Sequence, residues 1–142
     1  MTALGIDTKI LLLLAGLILL WALALGVWKY RQMATSATAL AHPYVDIAHR
    51  AALMYSFATL VLAALAEFSG FPTAVNLIAG LLVTFFFVAA VVSYMVHGIR
   101  RDTDNQFEYP VHGTHAFMWA LIFAEIGGTV VLVAGFVVGQ FF

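Results

Sequence analysis

Four long apolar stretches separated by short polar ones set the frame of this chain. The first runs from Ile10 to Trp28 without a charge and is closed by Lys29, Tyr30 and Arg31. The second covers about Ala48 to Phe68 and stops at Ser69, Gly70 and Pro72. The third runs from Ala74 to Val96 and stops at Gly98 and Arg100–Arg101; the fourth covers about His115 to Val138. A spanning helix needs about 20 mostly apolar residues. The pattern therefore predicts helices over about 10–29, 45–68, 74–98 and 114–140, forming one all-α, integral membrane, four-helix up-down bundle over residues 1–142. Residues 32–41 (QMATSATALA) read as a connector or as the first turns of a long second helix, and residues 99–113 as a polar loop. The first stretch is too long for the core of a signal peptide and ends in an interfacial anchor, so it is expected to be retained.

Composition sharpens this picture. Hydrophobic residues make up 64% of the chain, charged residues 9%, and the mean hydropathy is +1.04. A soluble domain has about 25% charged residues. The net charge of −1 gives no basic surface for nucleic acid. With no cysteine, disulfides, Cys-ligated zinc, iron–sulfur centres and thiol nucleophiles are all excluded. Lys29, Arg31, Arg50, Arg100 and Arg101 fall on one side of the membrane and Lys9 on the other. The positive-inside rule then puts the first and third loops in the cytoplasm and both termini outside, an orientation suited to a bacterial inner membrane. Gly127, Gly128, Gly135 and Gly139 allow close helix approach, and a homo-oligomer is one use for them.

Candidate chemistry lies in the polar residues of the apolar stretches, because ionisable groups are costly in a bilayer. His42, Asp46 and His49 share one face at the start of the second helix. They read either as a metal-binding imidazole with a carboxylate able to hold its other ring nitrogen, or as polar groups among headgroups. Tyr55 and Ser56 follow, as substrate donors or, for the serine, as a partner of its own backbone. Tyr94 and His97 share a face at the same membrane level as His49, while His112 and His115 bracket the start of the fourth helix with Thr114 as a candidate N-cap. All five histidines map to the cytoplasmic half. Glu125, near mid-bilayer, either handles protons or makes an interhelical hydrogen bond; Glu67 reads as an interfacial acid. No HExxH, GxSxG, P-loop or dinucleotide motif is present.

The architecture and the segment AHRAAL opening the second helix resemble the MAPEG-like membrane proteins, and more closely the styrene oxide isomerase family. Ala48-His49 followed by Ala52-Leu53 is similar to the family's haem-ligand segment. Tyr94, forty-five residues after His49, falls where the family has its active-site tyrosine, and Asn105-Gln106-Phe107 is similar to its loop motif. The resemblance covers roughly residues 45 to 110. It implies a homotrimer with haem b between subunits, whose ferric iron opens an epoxide to an aldehyde as a Lewis acid. His49 would be the iron ligand, with Asp46 and His97 at the cofactor and Tyr94 and Tyr55 toward substrate. Two positions depart from the family: its substrate-contacting Asn is matched by Tyr55, and its third-helix Asp by Phe86.

The resemblance implies a haem-dependent membrane isomerase acting on a small hydrophobic substrate taken from lipid, with Phe85, Phe86 and Phe87 expected to form an apolar wall. The alternatives are a haem protein for electron transfer or sensing, with His97, His42 or His115 as second ligand, and a small non-catalytic subunit of a larger complex. A glutathione-using transferase would want an Asn and a Glu after Arg50, which the chain lacks.

Overall fold

A computed structural model describes residues 3–142 as four helices: α1 (Ile6–Thr35), α2 (Pro43–Glu67), α3 (Thr73–Arg100) and α4 (Thr114–Phe141). Each is long and apolar enough to cross a membrane. At about 1.5 Å per residue even the shortest, of 25 residues, exceeds the roughly 30 Å hydrocarbon core. α1 starts four residues earlier and ends six later than the expected span of 10–29. The QMAT of the expected connector continues α1, and only Ser36–His42 link it to α2.

Small residues determine which faces meet. α2 buries Val45, Ala48, Ala52, Ser56, Thr59, Ala63 and Ala66, a seam of narrow side chains recurring every three or four positions. α1 answers with Leu11, Ala15, Ile18, Ala22 and Leu25, and these two helices share the broadest interface. In lipid, where apolar burial is weakly driven, such close contact is what holds helices together. The hydroxyls of that seam cost nothing unpaired: Ser56 donates to the Leu53 carbonyl at 2.6 Å and Thr59 to that of Tyr55 at 2.8 Å.

α3 touches all three other helices, whereas α4 lies on α3 and the edge of α2 and does not meet α1. The glycines of α4 serve this packing. A Cβ at Gly128 would stand 2.5 Å from Val83 Cγ2 and 2.9 Å from the Ala79 carbonyl oxygen. Gly135 lies against Ser69, and Gly139 against Gly70 in the α2–α3 turn, where the Gly70 amide donates to the Gly135 carbonyl at 2.8 Å. Gly127 alone of the four faces open space.

One end of the structure gathers the start of α1, the end of α2 and the start of α3. There Asn76, fully buried, donates to Asp7 Oδ2 at 3.2 Å and to the Phe71 carbonyl at 3.3 Å, while the Gly5 amide reaches Glu67 Oε2 at 3.3 Å. The other end gathers the end of α1, the start of α2, the end of α3 and the 102–113 loop. A substitution pair tests the α3–α4 seam. Gly128→Val should destabilise the detergent-solubilised protein by about 1–3 kcal/mol through overpacking, whereas Gly127→Val, one residue away, should leave the unfolding midpoint unchanged.

Candidate functional site

α2 begins with Pro43 at its first turn and His42 as its cap, the imidazole Nδ1 accepting from the Tyr44 amide at 3.2 Å. Because Nδ1 accepts, the hydrogen sits on Nε2, which lies 3.2 Å from Asp104. Both His42 nitrogens are therefore engaged. The His42 amide in turn donates to Gln32 Oε1 at 2.9 Å, tying the tail of α1 to the start of α2.

One turn on, Asp46 is held between two cations, Lys29 Nζ at 2.6 Å and Arg50 Nη2 at 3.0 Å. The expected pairing of Asp46 with a histidine ring nitrogen is not formed: the ammonium on α1 and the guanidinium at i+4 outcompete a neutral imidazole for the carboxylate. His49 instead turns toward α1, where its Nδ1 is 2.9 Å from the Ala22 carbonyl oxygen. A carbonyl only accepts, so Nδ1 carries the hydrogen and Nε2 presents its lone pair. Gly26 makes this possible. It follows Ala22 by one turn, and a Cβ there would stand 2.9 Å from the imidazole Cε1. Among the described residues Nε2 has no partner.

Tyr44, buried beneath the loop, is the hub of this end. Its ring lies 5.0 Å from that of His97, 6.0 Å from that of Tyr94 and 6.2 Å from that of His42. Its hydroxyl accepts the Gln106 amide at 2.6 Å. The Asn105-Gln106-Phe107 motif is thus a turn, closed by Asn105 Oδ1 accepting from the Phe107 amide at 3.0 Å and pinned to α2 through Tyr44. His97 holds the same loop from α3, its Nδ1 2.8 Å from Asp102 Oδ1. That hydrogen bond keeps the Asp102 carboxyl below its usual range, burial opposing it and the charge of His97 adding to it.

The histidines therefore occupy one end without converging on one point. His112 and His115 are exposed, and the described residues include no cluster of three His, Cys, Asp or Glu fit to hold a metal ion. Thr114 does not cap α4: Gly113, with φ of 95°, occupies the cap, and the threonine hydroxyl donates back to the Val111 carbonyl at 2.9 Å.

Deeper in, Tyr55 of α2 stacks on Phe87 of α3 at 4.2 Å with planes 9° apart. Tyr55 and Tyr94 are each half-buried and lie within electrostatic reach of Glu125, and among the described residues neither phenol has a hydrogen bond. Phe85, Phe86 and Phe87 do not form one wall. Successive helical residues diverge by about 100°, so Phe87 enters the core, Phe86 leans toward Phe117 at 6.1 Å and Phe85 is exposed. Sequence reasoning passed over Asp7, Asn76 and Tyr44. The first two carried a readable signal, as polar residues that open separate apolar stretches at one membrane end.

No protein-family model, curated protein or solved structure matches this chain.

Two outcomes check the loop clamp. Tyr44→Phe removes the acceptor of the Gln106 amide and should cost about 1 kcal/mol, read as faster proteolysis within residues 102–113. The Asp102 carboxyl, followed by NMR, should titrate below the ordinary value of about 3.9 and rise toward it in His97→Ala. Its contribution to loop anchoring is present above the ordinary value and is lost as pH falls through the lowered one.

Proposed function

We propose that this chain is a haem b protein of the membrane that isomerises a hydrophobic epoxide to a carbonyl compound, as the styrene oxide isomerases do. In this reading the helices cross a bacterial inner membrane up and down, with both termini outside the cytoplasm, and three copies assemble. The observation that supports it is the state of His49. Its Nδ1–H is fixed on the Ala22 carbonyl and its Nε2 is left without a partner. That is the tautomer and support with which His49 would hold a haem iron. The imidazole is a suitable iron ligand, while the nearby cations Lys29 and Arg50 are already paired with Asp46.

When bound, ferric haem supplies Lewis acidity toward an epoxide oxygen with no net redox change. The chain's own contribution is positional. Tyr94 and Tyr55 hold hydroxyls with no protein partner, ready to donate to the substrate oxygen, and Tyr55 is kept in place by its stack on Phe87. Asp46 does not touch the ligand histidine; it fixes Lys29 against α2 and so holds α1, whose carbonyl orients the ring. His97 acts through the loop, by way of Asp102. The apolar helix surfaces admit substrate from the lipid and exclude water, which would otherwise compete by hydrolysis.

Protein purified from cells supplied with haem precursor should show a Soret band. His49→Ala should abolish it, and Gly26→Leu should greatly reduce it by displacing the ring. Tyr94→Phe should keep the band while lowering kcat/KM for an aryl epoxide by about 100-fold, with the carbonyl product followed by NMR. A colourless wild-type protein, or an unchanged band in His49→Ala, overturns the assignment.

A further inference from the structure

Glu125 has no role in that reading, and it sits in an unusual place. It lines, from α4, an open groove of about 560 Å³ together with Phe87, Thr129 and Ala134, with Ile126, Val130 and Val133 at an exposed rim. Glu125 Oε1 is buried and has no hydrogen-bond partner. The hydroxyls of Ser56, Thr59 and Thr84 bond carbonyls of their own helices, whereas among the described residues only Thr8 Oγ1 and Asn76 Oδ1, near one end of the bundle, are likewise buried without a partner. The Glu125 carboxyl is left over, at a depth where an unpaired polar group is costly. Neutralised by a proton, it still holds an O–H with no acceptor. The groove around it offers no second polar side chain beyond the Thr129 hydroxyl.

We propose that this groove binds a neutral lipophilic molecule with a single hydrogen-bond-accepting oxygen, such as a ketone, ether or epoxide, drawn laterally from the bilayer, and that Glu125 donates to that oxygen. The apolar lining takes the hydrocarbon body, and the carboxyl fixes its orientation. Phe87 forms one wall of the groove, and Tyr55 stacks on Phe87. Binding here requires neither haem nor His49, and a colourless protein would still take the ligand.

The test uses the full chain in phosphatidylcholine nanodiscs with an alkyl benzophenone, whose carbonyl serves as acceptor and, on irradiation, as cross-linker. Peptide mapping should place adducts on α4 between residues 125 and 134. Glu125→Leu should reduce their yield about tenfold, the scale of one hydrogen bond in an apolar site. Glu125→Gln, which still donates through its amide, should stay within about threefold of wild type on the same scale. Thr129→Trp, filling the groove with the carboxyl in place, should reduce labelling as Glu125→Leu does. Equal labelling in wild type and Glu125→Leu would mean undirected partition of the probe, and would overturn the proposal. So would a Glu125→Gln loss as deep as that of Glu125→Leu, which would mean that donation from position 125 does not hold the carbonyl. Should Glu125→Leu lose its helical circular dichroism, Thr129→Trp decides alone: full α4 labelling there overturns the site.

Discussion

The close approach of α1 and α2 is the constraint on which the rest of the structure depends. Ala22 and Leu25 meet Ala48 and Ala52 in one cluster, and Leu11 meets Leu62, Ala63 and Ala66 in another. Larger side chains on this seam would hold the helices apart, and in lipid no strong apolar driving force would draw them back. Because the backbones are near, a histidine of α2 can reach a main-chain carbonyl of α1 across Gly26. The tautomer of His49 is therefore a consequence of alanines and a glycine elsewhere in the interface.

The number of helices and their approximate spans were legible in the sequence, since runs free of charge reveal themselves regardless of neighbours. Which faces meet was not. A lipid-facing Leu and a core Leu look alike, so α1 offers no polar face to mark its orientation, and the triplet Phe85-Phe86-Phe87 suggested a wall that helical geometry disperses. The glycines of α4 pointed to close contact, correctly, but three of the four spend it inside the chain, on α3 and the α2–α3 turn. Asp46 was legible as a functional-looking acid beside His49; its true partners were settled by Lys29, seventeen residues earlier on another helix. Tyr44 gave no signal at all, because its partner is a main-chain amide 62 residues away.

The polar groups divide by depth, and each layer follows its own physics. At one end the carboxylate of Asp7 and the amide of Asn76 bond to each other out of water. At the other, imidazoles pair with the loop carboxylates of Asp102 and Asp104. Between these ends lie two phenols and a carboxyl contributed by α2, α3 and α4, without hydrogen bonds among them. Among the described residues, unused hydrogen-bonding capacity thus remains in the middle of the bundle, at Glu125, as well as beside the first end, at Thr8 Oγ1 and Asn76 Oδ1.

The hold of Tyr44 on the connecting loop reads only a backbone N–H. Any amino acid with an amide hydrogen can stand at position 106 and be gripped equally well, and proline alone would break the latch. The side chain there takes no part in the latch, and the rim of the membrane protein can be re-lettered at that point without losing this hydrogen bond.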